Sequence, residues 1–214
     1  FRFRGAAAHA ASAPERGRSA LDGVEAMNHM VNLMREHVPA ATRIHYVITR
    51  GGAAPNIVPE FAEVFYYVRH PDVTRLLGIW ERVVAASEGA AMGTGTAVEH
   101  EVIHGNYNVL PNEVLSHVMD QSLQQVGGVL YDDSERAFAE SLRATFGAVD
   151  MDVDLAAAAE VQPWRVHEGK ASTDVGDVSW AVPTTGLSTA TWVPGTAAHS
   201  WQAVAAGGTT IGVK

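Results

Sequence analysis

Three polar residues in the first seventy positions are suited to gripping an anion: His9 closing G-A-A-A-H, Asn56 closing R-G-G-A-A-P-N, and Arg69 shortly after. An imidazole and a carboxamide can donate to an oxyanion, and a guanidinium forms a planar fork that matches a carboxylate. Taken singly, each has a plain structural explanation. His9 is then a strand-end histidine, Asn56 satisfies its own turn, and Arg69 is a solvated charge on an edge strand. Taken together they favour a substrate-gripping module, because Gly51, Gly52 and Pro55 hold Asn56 on a defined turn and Arg69 is a rigid bidentate donor.

Ten histidines and no cysteine raise the question of a metal site. His100 and His104 are four apart, but they fall in an alternating segment and lack the glutamate of an H-E-x-x-H helix. His29, His37 and His45 read as surface histidines on or beside the first helix and second strand. His199 differs, since it sits in P-G-T-A-A-H-S-W-Q, where small residues leave room for a ligand. One imidazole does not make a zinc site, which needs three or four protein ligands. Asp174 and Asp177 in S-T-D-V-G-D-V-S are the nearest acidic candidates, and both also suit turns.

The elements that must position these residues follow from periodicity. Residues 1–10 alternate as a strand, and Leu21, Val24, Met27, Val31 and Met34 recur at helical spacing behind the cap Ser19. Residues 43–49 and 63–69 read as two strands joined by the turn-rich stretch 51–59, and 73–91 as a second helix with a broad apolar stripe. Alternation through Val98, Val102 and Tyr107 predicts a fourth strand over 96–109. The order β-α-β-β-α-β specifies a ferredoxin-like, four-stranded antiparallel sheet with both helices on one face. The overall class is α/β or α+β. Past a boundary near residue 110, helices are expected around 114–123 and from Ser134 to Phe146. Periodicity is weak over 147–170, with room for one short helical turn at 155–161. Strands and loops are expected from Asp177 to Val213.

Bulk properties narrow the function classes. The 214 residues are 47% apolar and carry a net charge of -9, with fifteen scattered Lys and Arg, which argues against a nucleic-acid partner. No apolar run reaches the roughly 18 residues needed to span a bilayer, and no signal peptide is recognisable, so a cytoplasmic location is expected. The chain opens mid-alternation without a Met and reads as a piece of something longer.

The blocks F-R-F-R-G-A-A-A-H-A-A-S-A-P-E-R-G-R-S-A-L-D, I-T-R-G-G-A-A-P-N-I-V-P and V-F-Y-Y-V-R resemble the lid or dimerisation domain of the zinc aminoacylase and carboxypeptidase G family. The later S-T-D-V-G-D-V-S-W-A-V-P-T and A-T-W-V-P-G-T-A-A-H-S-W-Q resemble its aminobenzoyl-glutamate hydrolase branch. The resemblance implies a lid domain over 1–109 and the C-terminal portion of a catalytic domain over 110–214. It makes His9 the oxyanion-stabilising histidine, often reaching into a partner subunit's site, and Asn56 and Arg69 the binders of the substrate carboxylate. It makes His199 a metal ligand, with Asp174 in a neighbouring substrate-side block.

The family's preceding segment, which supplies most metal ligands and a general-base Glu, has no counterpart in these residues. The chain alone is therefore expected to hold no catalytic zinc or manganese. Two readings follow: a portion of a homodimeric, metal-dependent amidohydrolase acting on N-acyl or N-aroyl amino acids, or a dimerisation and substrate-binding module without activity of its own. A regulatory ferredoxin-like domain binding a free amino acid ranks below both.

Overall fold

Phe3 lies between two arginines in an alternating run, and it is wholly buried while Arg4 is exposed. That alternation sets the strand β1 (Arg2–Arg4) at the centre of the first unit. The computed structural model describes residues 1–147, 153–166, 169 and 171–214, which divide into two compact units, Phe1–Asn108 and Val109–Lys214.

The first unit runs β1, α1 (Ala20–Met34), β2 (Arg43–Arg50), β3 (Phe61–Arg69), α2 (Val73–Thr94) and β4 (Ala97–Glu99). The sheet is antiparallel in the order β2-β3-β1-β4, the expected ferredoxin-like arrangement. Ser19 caps α1 by accepting from Asp22 N at 3.1 Å, and Asp72 caps α2 by accepting from Arg75 N at 2.9 Å. Gly95, at φ 64, closes α2 in the left-handed conformation that a side chain would resist.

Both helices lie on one face of the sheet, where Val24, Met27, Val31 and Val83 pack with Phe3, Ala62 and Val64. Tyr66 is the polar member of this layer. Its hydroxyl donates to Asn28 Oδ1, and burial holds its pKa above the ordinary phenol value.

The fourth strand is shorter than the alternation predicts, covering 97–99 rather than 96–109. Its ladder with β1 runs from Arg4–Ala97 to Arg2–Glu99. Val102, Ile103 and Tyr107 consequently remain exposed.

In the second unit α3 (Glu113–Val126), α4 (Asp133–Arg143), α5 (Val175–Ala181), α6 (Trp201–Gly207) and α7 (Thr210–Val213) are helical, with a 3₁₀ turn at Leu155–Ala159. Strands expected between 177 and 213 do not occur among the described residues. Short apolar runs cannot separate strand from helix by period, and caps decided the matter here. Ser200 accepts from Ala203 N at 3.2 Å and opens α6.

The residue that opens α4 is also corrected, from Ser134 to the cap Asp132. Asp132 Oδ1 accepts from Glu135 N, and Glu135 Oε2 accepts from Asp132 N, each at 2.9 Å, which is a reciprocal capping box. The weakly periodic stretch 147–170 is described only in part, since 148–152, 167, 168 and 170 lie outside the described residues.

Candidate functional site

The approach of β1 to its neighbours places His9. Gly5 is obligatory, because a Cβ there would stand 1.8 Å from Arg18 O, and the chain beyond it is stitched to the β2–β3 loop. Gly5 N donates to Glu60 O at 2.8 Å, Val58 N to Ala8 O at 2.9 Å, and Ala10 N to Asn56 O at 3.0 Å. His9 and Ile57 form a bridge. Gly52, at φ 106, lets the base of that loop close onto Pro59. The exposed His9 and Asn56 are thus brought side by side by backbone bonds.

His9 is further fixed by its own turn, its Nδ1 accepting from Ala11 N and Ser12 N at 3.2 Å each. With Nδ1 occupied as an acceptor, the neutral ring carries its proton on Nε2. That leaves an outward donor of the kind an oxyanion requires.

Arg69 stands elsewhere. It ends β3, whereas His9 lies beyond the Phe61 end, and the eight residue steps between Phe61 and Arg69 span about 26 Å. Within one chain His9 and Asn56 lie together at one end of the sheet and Arg69 stands at the other.

The Arg69 guanidinium carbon sits 5.0 Å from the Tyr67 ring centre. Stacking holds the cation by its face and leaves its in-plane N–H donors free, and Arg69 makes no ion pair among the described residues. Arg43, directly opposite in the ladder, is spent on Ala40 O at 2.8 Å and Thr42 O at 2.7 Å.

The sheet face turned away from the helices carries Phe61, Glu63, Phe65, Tyr67 and Arg69. Glu63 accepts from Thr49 Oγ1 at 2.7 Å and pairs with Arg2 at 2.9 Å; both lower its pKa, the hydroxyl more. Arg2 also meets Glu101, and Arg4 meets Glu99 at 3.2 Å. A β-bulge between Ile48 and Arg50 brings Arg50 opposite Glu63, onto this same face, with its guanidinium 5.7 Å from the Phe61 ring centre. Arg50 was not among the residues expected from sequence, and its position immediately before Gly51-Gly52 was the available signal.

In the second unit Asp174 precedes α5, exposed, and its carboxylate makes no capping bond. His199 is exposed at φ 61, the one non-glycine residue with positive φ among those described. That strain, just before the α6 cap, marks the loop as shaped by more than local preference. Among the described residues no three His, Asp or Glu gather where a metal ion could be held, so the ligands present do not by themselves fit a catalytic zinc or manganese. No described helix is long and apolar enough to cross a membrane.

Residues 1–94 match the family model of the peptidase dimerisation domain. The whole chain is 37% identical, over 238 aligned residues, to 50% of a p-aminobenzoyl-glutamate hydrolase subunit of Escherichia coli (strain K12). Over 127 residues, 59% of this chain, it is 32% identical to Xaa-Arg dipeptidase of Mus musculus, covering 30% of that protein. The chain therefore spans half the length of the first relative and less of the second. Among solved structures, that of AtUAH in complex with (S)-hydroxyglycine superposes on 57% of this chain and 30% of its own, with a TM-score of 0.52 at 14% identity, a likeness of fold. Residues 1–94 are accordingly similar to the peptidase dimerisation domain, within a chain similar along its full length to half of a p-aminobenzoyl-glutamate hydrolase subunit.

Proposed function

We propose that this chain is the dimerising and substrate-gripping portion of a metal-dependent amidohydrolase that cleaves N-acyl or N-aroyl amino acids of the aminobenzoyl-glutamate type. The observation that carries the reading is the division of the grip between the two ends of one sheet. His9 and Asn56 occupy one end and Arg69 the other, too far apart to hold one small substrate.

Two copies resolve this. Strand β2 is an unpaired edge with Tyr46, Val47 and Ile48 partly exposed, and a twofold antiparallel pairing of β2 with its counterpart in a second copy makes one eight-stranded sheet. Antiparallel pairing inverts the second copy, so each end of the double sheet carries His9 and Asn56 from one protomer and Arg69 from the other. There Arg69 takes the substrate carboxylate by a bidentate bond, Asn56 orients the amide, and His9 Nε2–H donates to the oxygen that becomes negative as the carbonyl is attacked.

A divalent metal, zinc or manganese, would supply Lewis-acid activation of water. His199 would be one of its ligands in a complete protein containing this chain. The alternative, a dimerisation and substrate-binding module without activity in this chain alone, rests on the dimerisation-domain match over residues 1–94.

One set of measurements separates the two readings: metal content, sedimentation and release of glutamate from aminobenzoyl-glutamate, made on this chain and on a complete protein containing it. Hydrolysis by the complete protein, with Arg69→Ala raising KM and His9→Ala lowering kcat about a hundredfold, is the expected result. Unchanged kinetics in both variants would remove these residues from the site.

A further inference from the structure

We infer that Arg50 reads the side-chain charge of the substrate, selecting N-acyl amino acids that carry a second carboxylate. The inference rests on the two-copy site proposed above, and three features of Arg50 lead to it.

The first is aim. In an unbroken β2 ladder the residue after Thr49 would face the helices. Instead the register shift between Ile48 and Arg50 sets Arg50 against Glu63, and its guanidinium lies over Phe61 on the open face.

The second is that its charge is unspent. Arg4 packs against the same ring, 5.3 Å from its centre, but is paired with Glu99. Glu63 is taken by Thr49 and Arg2. Arg50 has no ion pair among the described residues, and the Phe61 ring steadies it without using its donors. Tyr67 holds Arg69 in the same manner at the opposite end.

The third is convergence. Pairing β2 over its full length with a second copy sets Arg50 level with Arg43 of that copy, which is itself opposite Arg69 in the β2–β3 ladder. Arg50 then stands two strand spacings, about 10 Å, from the second copy's Arg69. Two long side chains reaching inward over that span suit two carboxylates on one amino acid. Arg43 adds no competing demand, being bonded to its own turn. One arginine takes the α-carboxylate common to every substrate and the other takes the side-chain carboxylate.

The test compares N-benzoyl-glutamate with N-benzoyl-glutamine as substrates of the complete protein, an isosteric pair that differs in one charge. For Arg50→Gln the ratio of kcat/KM between them should fall about tenfold or more, the loss of a charge-assisted bond. Arg50→Lys should fall between the two. Arg69→Ala should weaken both substrates alike, leaving the ratio in place. If Arg69→Ala raises KM for both while Arg50→Gln leaves the ratio untouched, Arg50 is no specificity residue and the two-copy site stands. If Arg69→Ala leaves KM unaltered, the site itself is wrong and this inference goes with it.

Discussion

His9 and Arg69 stand at opposite ends of one antiparallel sheet, the first bridged to Ile57 beyond the start of β3 and the second closing that strand. A site using both draws them from two chains, which permits a complementation test. Co-expressed His9→Ala and Arg69→Ala forms of the complete protein that pair at random form half mixed dimers, each with one intact site. About a quarter of the wild-type activity should return, although each variant alone is nearly inactive. Activity no higher than that of the separate variants would place both residues in the same subunit's site.

The β2 edge is the expected seam. Placing lysine at Tyr46 and Val47 puts two charges where a second strand must pair, and such charges are a common way to blunt an edge. The double variant should sediment as a monomer with its helical circular dichroism retained. A dimer of unchanged affinity moves the interface off β2.

Gly23 lies inside α1, where alanine ordinarily stabilises a helix by about 1 kcal/mol. Here a Cβ would stand 2.5 Å from Cδ1 of Phe3, which is fully buried at the sheet centre. Overpacking of such a core costs about 1 to 3 kcal/mol, so the clash outweighs the propensity. Gly23→Ala should lower the denaturation midpoint. A raised midpoint would mean that Phe3 moves aside without loss.

The second unit should weaken in acid through Glu135. Its buried carboxylate is paired with Lys214 and accepts from Thr210 Oγ1 at 2.6 Å, and these bonds, the lysine's foremost, hold its pKa below the ordinary value. A depressed folded-state pKa contributes stability that is complete above the unfolded value near 4.3 and is lost as pH falls through the lower folded one. Glu135→Gln keeps an N3 side chain able to serve the capping box but removes the charge. Urea midpoints for this unit should drop at pH 7 and show a flatter acid limb than wild type. Equal acid slopes in both proteins would assign the acid sensitivity to other carboxylates.

The elements of the first unit were legible because each had local support. Ser19 with Asp22 announced α1, Gly95 closed α2, alternation marked β1 and β2, and the β-favouring run Val-Phe-Tyr-Tyr-Val marked β3. In the second unit local signals were ambiguous. The short apolar runs around Trp201 fit either period, and the Asp132–Glu135 box competed with a serine two positions on.

Residue chemistry and spacing by themselves determined which side chains could hold an oxyanion or a carboxylate, because donor geometry belongs to the residue type. Glycine positions set where those side chains could stand, since Gly5 and Gly52 admit approaches closed to a Cβ. Only the tertiary structure decided which of them could act together. Strand order and register are set by pairing between segments far apart in sequence, and that pairing sent Arg69 to the far end from His9. A one-residue bulge, invisible to a period-two pattern, turned Arg50 from the helix face to the open one.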